Sequence, residues 1–401
     1  MVQVAVTGLG PVSSIGTGAE AFAGALRAGR SGISPITSFN ASGFPYRNAG
    51  EVPPDQMGPA LGRLDPKRWG RSSRFAAAAA RLAVTDGRLD LHQVEPARAH
   101  AVMGTTSGES QVLEALTAQL VDKGFAGMEP ALLRQLPASH LAHAVSEELG
   151  LRGESLTIAT ACSASNYAIG YAYDLLVTGD ADVVLAGGAD SVCRWAHAGF
   201  YRLGALTEAA CAPFDRERSG ILTGEGGAVL LLETFGHARW RGARIYAELL
   251  GYGLNCDADH PVAPDERSIA ACMRMAHRNA GVKAADVDWI CAHGTGTPAN
   301  DSVECKAVLD VFDGQPPPMS SIKSMLGHTM GAASGFGAIA SVLAIDRGFL
   351  PPTINWRNPD PELGAVDPVP NAARDVRPRV VQNNGFAFGG NNAIVMLGAV
   401  A

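Results

Sequence analysis

Residues 181–186, interrupted only by Asp182, and 226–232, with no interruption, are apolar runs. They are too short for long helices and too apolar for a sheet that keeps one face wet. Runs of this kind belong to strands covered on both faces, as in parallel sheets sandwiched between helices. Other strand-like stretches, 2–9 and 99–104, alternate with helical patterns over 19–28, 75–86, 110–123 and 138–149. Near Arg239 the pattern restarts. A strand over 245–252, a helix over 266–279, a strand over 287–292 and a helix over 302–311 follow. A short strand over 319–322, a small-residue segment over 331–347 and a strand over 380–387 complete the second half. The spacing predicts an α/β protein in two halves of similar element order, 1–238 and 239–401, with buried sheets between helical layers.

Composition narrows the class. The chain has 401 residues, 47% of them hydrophobic, which is ample for a large core. No stretch approaches the ~18 apolar residues of a membrane span, and no signal-peptide pattern is visible at the start. Seven cysteines without paired spacing fit a reducing, cytoplasmic setting better than a disulfide framework. A net charge of −7 argues against a nucleic-acid partner. Against that acidic background, Lys67, Arg68, Arg71 and Arg74 stand close together, either as a solvated helix start or as a landing site for an acidic partner. The pair Gly8 and Gly10 resembles the start of a dinucleotide-binding turn but lacks the third glycine.

Candidate chemistry collects at the ends of strand-like runs, where α/β folds place it. Cys162 lies in Thr160-Ala161-Cys162-Ser163-Ala164, between a strand-like run and a helical pattern. A helix N-terminus there favours thiolate over thiol, whereas a lone cysteine is also a common core filler. His293 opens His293-Gly294-Thr295-Gly296-Thr297-Pro298. Lys323 and His328 bracket Lys323-Ser324-Met325-Leu326-Gly327-His328, and two aromatics sit in Phe386-Ala387-Phe388-Gly389-Gly390. One cysteine with two histidines suits chemistry on a thioester: sulfur takes an acyl group and neutral imidazoles stabilise negative charge on oxygen. A cysteine protease needs one histidine with an orienting Asn or Asp. The spacing of 162, 293 and 328 is too wide for a typical metal site, and Asp257, Asp259 and His260 form only a weak cluster.

Together these four segments resemble the elongating β-ketoacyl-acyl-carrier-protein synthases, in order and spacing. Gly187-Gly188-Ala189, Pro213-Phe214-Asp215, Gly224-Glu225-Gly226 and Pro351-Pro352-Thr353-Ile354-Asn355 extend the likeness over essentially the whole chain. The resemblance implies a thiolase-like fold, two similar halves in a five-layered αβαβα core, normally dimeric. It implies Cys162 as the acyl-accepting nucleophile, and His293 and His328 as the groups that promote decarboxylation of malonyl-carrier protein and hold the enolate. Backbone N–H groups of Cys162 and Phe388 become the oxyanion hole, and Lys323 and Glu304 a supporting ion pair. Phe386, Ala387 and Phe388 form the gate, with Ser107 in the acyl pocket. Lys67, Arg68 and Arg71 become the dock for acyl carrier protein. No cofactor and no metal are implied.

The chain departs from the family's usual pattern at several positions. Alanine at 387 stands where the family usually has glycine, which predicts a stiffer gate. Gly296 replaces a usual serine and Asn391 a usual threonine. Ser107, with Glu109 close behind, predicts a polar acyl pocket and hence polyketide or polyene assembly over housekeeping fatty-acid elongation. A thiolase would need a second, late cysteine, and none follows Cys305. Because the nucleophile is present, the chain is expected to be an active subunit, as a homodimer or beside a chain-length-factor-like partner.

Overall fold

The computed structural model of the chain describes residues 2–57, 61–208 and 210–400. Ten of its strands form two arrays. The first holds β1 (Val4–Ser13), β2 (Ala99–Gly104), β3 (Ser155–Ile158), β4 (Val183–Asp190) and β5 (Gly226–Thr234). The second holds β6 (Ala247–Cys256), β7 (Trp289–Cys291), β8 (Met319–Ser320), β9 (Val380–Phe386) and β10 (Asn391–Gly398). Both arrays have the spatial order third, second, fourth, fifth, first. In both, the second strand runs parallel to the third and fourth, and the last two pairings are antiparallel. β1 and β6 then pair antiparallel, Val4 opposite Leu249, and join the arrays edge to edge.

Helices fill the layers. α1 (Arg71–Asp86) and α2 (His140–Leu149) cover one outer face, and α3 (Ala164–Thr178) lies between the sheets. α4 (Glu266–Ala280) and α5 (Pro298–Val311) cover the other outer face, while α6 (Ala333–Arg347) joins α3 in the middle. This sandwich accounts for the apolar runs. Val184, Ala186, Leu230 and Leu232 point into the central layer with Ile169 and Phe336. Their neighbours Val183, Leu185, Val229 and Leu231 point outward onto Phe75 and Ala79 of α1. With no wet face, alternation disappears from the sequence. α6 shows the same effect in a helix: every residue from 333 to 345 is buried, so it carries no polar stripe. Truncating one of these leucines to alanine costs roughly 2–5 kcal/mol.

Two strands run further than the sequence predicts, because their glycines resemble stops. β1 continues through Gly8 and Gly10 to Ser13, and β4 through Gly187 and Gly188 to Asp190. These glycines admit a neighbouring backbone. A Cβ at Gly10 would lie 1.8 Å from the Ala79 carbonyl oxygen of α1, and one at Gly187 would lie 1.9 Å from that of Ala228.

Candidate active site

Cys162 sits on the turn from β3 into α3. Ala161 takes a left-handed φ of 51°, a strained conformation for a residue with a side chain. Ser163 donates from its hydroxyl to the Thr160 carbonyl at 2.9 Å and closes the turn. The thiol is buried. Burial pushes it up to about 12, and the Lys323 ammonium with the N–H groups of Cys162 and Phe388 offsets this only in part. The helix N-terminus therefore does not make Cys162 a resting thiolate, contrary to the sequence expectation. The backbone N–H groups of Cys162 and Phe388 favour the charged form of this sulfur.

Two buried carboxylates on α5 hold the His293 loop. Glu304 accepts the N–H groups of His293 and Gly294 at 2.8 and 2.7 Å, and the Asn384 amide at 2.9 Å. Asp301, one turn earlier, accepts the N–H groups of Thr295 and Gly296 at 3.0 and 3.2 Å. Gly294 has φ 35° with Ser321 2.5 Å from where a Cβ would be, so only glycine fits. Thr297 caps α5 by accepting from the Asn300 N–H.

Lys323 is buried beside this loop. Its ammonium donates to the His293 carbonyl and lies 3.5 Å from His293 Nδ1. Lys323 and Glu304 make no direct salt bridge, but the Glu304 charge supports the buried ammonium against its desolvation. Each also acts on the backbone of His293, Glu304 from the N–H side and Lys323 from the carbonyl side. His328 accepts the Met330 N–H on Nδ1 at 3.0 Å. The two imidazoles lie 5.7 Å apart, centroid to centroid, and nearly perpendicular. Burial, and then the Lys323 charge, hold both well below the usual histidine range, so both are neutral.

A cavity of about 270 Å³ opens onto Cys162, His293, His328 and all three gate residues, Phe386, Ala387 and Phe388. Phe200, Leu203 and Ile221 give it an apolar wall. Phe388 is 36% exposed and stacks loosely on Phe200, ring centroids 6.0 Å apart. The positive φ values of the gate turn fall on Gly389 and Gly390 and not on Ala387, so alanine there carries no backbone strain.

Other expected residues are placed elsewhere. Ser107 does not line this cavity; its N–H donates to Asp190 at 3.3 Å. Glu109 is buried and accepts the N–H groups of Ser72 and Ser73 at the start of α1, so it adds no polarity to a pocket. Arg71 is turned inward onto the fully buried Glu225 and the Val52 carbonyl, because that carboxylate needs a cation. It is not free to dock a carrier protein. Lys67 and Arg68 remain exposed, Arg68 only loosely paired with Glu147 at 3.8 Å. Asp257 accepts from Asn392 and from the Asp265 N–H, and His260 Nδ1 from the N–H groups of Val262 and Ala263. Among the described residues no three potential ligands gather around a metal position. The sequence does not single out Asp301, Asn384 or Asp190, whose roles depend on partners in other segments. Only Asp301 carries a local signal, three residues after a helix-starting proline.

Two five-strand repeats, one supplying a cysteine and the other two neutral histidines at a shared cavity, define a condensing enzyme of thiolase fold. Known proteins agree with that reading. Residues 1–238 match the beta-ketoacyl synthase N-terminal domain and residues 246–357 its C-terminal domain. The 3-oxoacyl-[acyl-carrier-protein] synthase 2 of Synechocystis sp. is 37% identical, over 97% of this chain and 96% of its own. The solved structure of the ishigamide ketosynthase/chain length factor superposes with a TM-score of 0.98 at 48% identity, covering 100% of both chains. A type II polyketide synthase acyl-carrier protein in complex with its ketosynthase bound to the hexaketide gives 0.91 at 29%, again over 100% of both. The chain belongs to the beta-ketoacyl synthase family. It is a condensing acyltransferase.

Proposed function

We propose that the chain extends a Cys162-bound acyl group by decarboxylative condensation with malonyl-carrier protein, in type II polyketide or polyene assembly. The observation that carries the chemistry is what faces Nδ1 of each histidine: the Lys323 ammonium at 3.5 Å from His293 and the Met330 N–H at 3.0 Å from His328. An ammonium and a backbone N–H only donate, so Nδ1 of each ring is assigned as the acceptor, which leaves an Nε2–H on each for the cavity. Neutral donors suit an enolate oxygen, not proton abstraction.

In the first half-reaction Cys162 sulfur attacks the acyl thioester while the N–H groups of Cys162 and Phe388 hold the developing oxyanion. The carrier thiolate leaves and takes up the thiol proton. In the second, the C–C bond to the malonyl carboxylate breaks and carbon dioxide leaves. The electron pair forms an enolate held by His293 and His328. Its carbon attacks the Cys162 thioester, and collapse gives 3-oxoacyl-carrier protein and a Cys162 thiolate that takes up from water the one proton the condensation consumes.

Lys67 and Arg68 at the approach to α1 dock the acidic carrier protein. β3 is an edge strand of the first array, which supports assembly as a homodimer or with a chain-length-factor-like partner. No described helix is long and apolar enough to cross a membrane, consistent with a cytoplasmic enzyme. With Ser107 and Glu109 away from the cavity, support for the polyketide setting comes from the ishigamide and hexaketide complexes; the Synechocystis relative favours fatty-acid elongation as the second reading.

The test is intact-mass measurement of the chain after mixing with saturated and conjugated acyl-carrier proteins, with Cys162→Ala as control, followed by turnover with malonyl-carrier protein. Acylation and turnover favouring conjugated chains support the polyketide reading, and a strong preference for saturated long chains replaces it with fatty-acid elongation.

A further inference from the structure

Asp190, at the C-terminal end of β4, is 1% exposed and has no cationic partner within salt-bridge distance among the described residues. Its carboxylate instead accepts four hydrogen bonds from two segments. Thr105 Oγ1 and the Thr106 N–H donate at 2.7 Å, and the Ser107 N–H at 3.3 Å. The Gly331 N–H donates at 2.7 Å from the other half of the chain. The two segments touch: a Cβ on Gly331 would lie 2.5 Å from Thr105 Cα.

Gly331 follows the residue that fixes the His328 ring. The Met330 N–H reaches His328 Nδ1, and Met330 takes a left-handed φ of 53° to do so. A residue with a side chain holds that conformation only where its surroundings over-determine it. They do so from both sides of the next residue: Asp190 takes the Gly331 N–H, and the Ser165 hydroxyl donates to the Gly331 carbonyl at 2.5 Å. We infer that Asp190 is a positioning residue, holding the Met330–Gly331 turn so that His328 presents Nε2–H to the enolate oxygen. The catalytic consequence rests on the proposed reaction, whereas the tautomer does not. Burial lifts the Asp190 carboxyl to about 6, and its four hydrogen bonds act in the opposite direction, toward the charged form.

The test is histidine ¹⁵N NMR of the full chain, with the His328 signal assigned by its loss in His328→Ala. Wild type is expected to show Nδ1 as an unprotonated acceptor and Nε2 protonated. Asp190→Asn, which places an amide N–H₂ among donors, is expected to shift this pattern toward a tautomer mixture. Malonyl-carrier-protein decarboxylation should fall about a hundred-fold, the scale of a misplaced reacting group, with Cys162 acylation by acyl-carrier protein retained. Ser165→Ala loosens the same turn with a smaller perturbation and should shift the signal in the same direction; it serves if Asp190→Asn does not fold. A wild-type His328 protonated on Nδ1, or a folded Asp190→Asn with an unchanged His328 signal, overturns the inference. Failure of Cys162 to accept any acyl group would instead count against the reaction, and the NMR result would still decide the role of Asp190.

Discussion

Glu233, the penultimate residue of β5, has a fully buried side chain, and its contacts make a pH prediction with a definite sign. Burial alone would raise its carboxyl. Hydrogen bonds from His237, Arg241 and Thr7, with the Arg241 charge, overcome that and hold it at about 2 against an ordinary 4.5. His237 Nδ1 lies 2.5 Å away and Arg241 Nε 2.9 Å. At about 1.4 kcal/mol per pH unit, this depression contributes about 3 kcal/mol of folding stability. Because the folded carboxyl is the stronger acid, the contribution is complete above the unfolded value of 4.5 and lost as pH falls toward 2. The perturbation is Glu233→Gln, and the assay is urea unfolding of both proteins at fixed protein concentration from pH 7 to pH 2. The stability gap between them should close by about 3 kcal/mol over that interval, nearly all of it below about pH 5. Carboxylates elsewhere titrate in both proteins and cancel. A gap that stays constant with pH would refute the argument, since Glu233 would then stabilise only through shape.

Gly10→Ala forces β1 and α1 apart and should cost about 3 kcal/mol in thermal unfolding, whereas Gly24→Ala, with nothing within 4 Å of the new methyl, should not destabilise. Arg71→Ala leaves Glu225 buried without its cation and should cost roughly 3–5 kcal/mol in urea unfolding. Lys67→Glu with Arg68→Glu should weaken carrier-protein binding and flatten its salt dependence in titrations, with stability within about 0.5 kcal/mol of wild type. Iodoacetamide alkylation of Cys162, followed by mass, should speed up about tenfold per pH unit from about pH 6 to 9 with no plateau, as a thiol near 12 requires; a plateau in that range contradicts the protonated resting state.

The layered architecture is legible in the sequence because apolar runs without alternation fit few structures besides a strand covered on both faces. The stretches 99–104 and 110–123 fall where β2 and a helix, Ser110–Lys123, lie. The strand Asn391–Gly398 and the helix Arg194–Arg202 are not legible in the same way. The former contains an apolar run of its own, 393–397, but follows a glycine-rich turn that reads as a loop, and the latter is mostly exposed, His197 being its one buried residue. Glycine misleads where it serves close packing instead of turning. The cavity brings together Cys162, His293, His328 and the gate as the resemblance implies. What fails are assignments decided by a partner distant in sequence. Arg71 meets Glu225, and Glu109 meets the start of α1. Nothing local to either residue records that.

The matching topology of the two halves has a consequence for how the molecule is made. The nucleophile lies in the half synthesised first, and α3, which carries its turn, is covered on its inner side by α6 and the second array. Until those later residues leave the ribosome, the first half presents a broad greasy face around Ala168, Ile169 and Ala172. That face is a natural target for holdase chaperones and for aggregation during overexpression. The reactive centre is therefore assembled in the same event that seals this face, so a nascent chain with an uncovered thiolase half has no competent thioester chemistry to misfire.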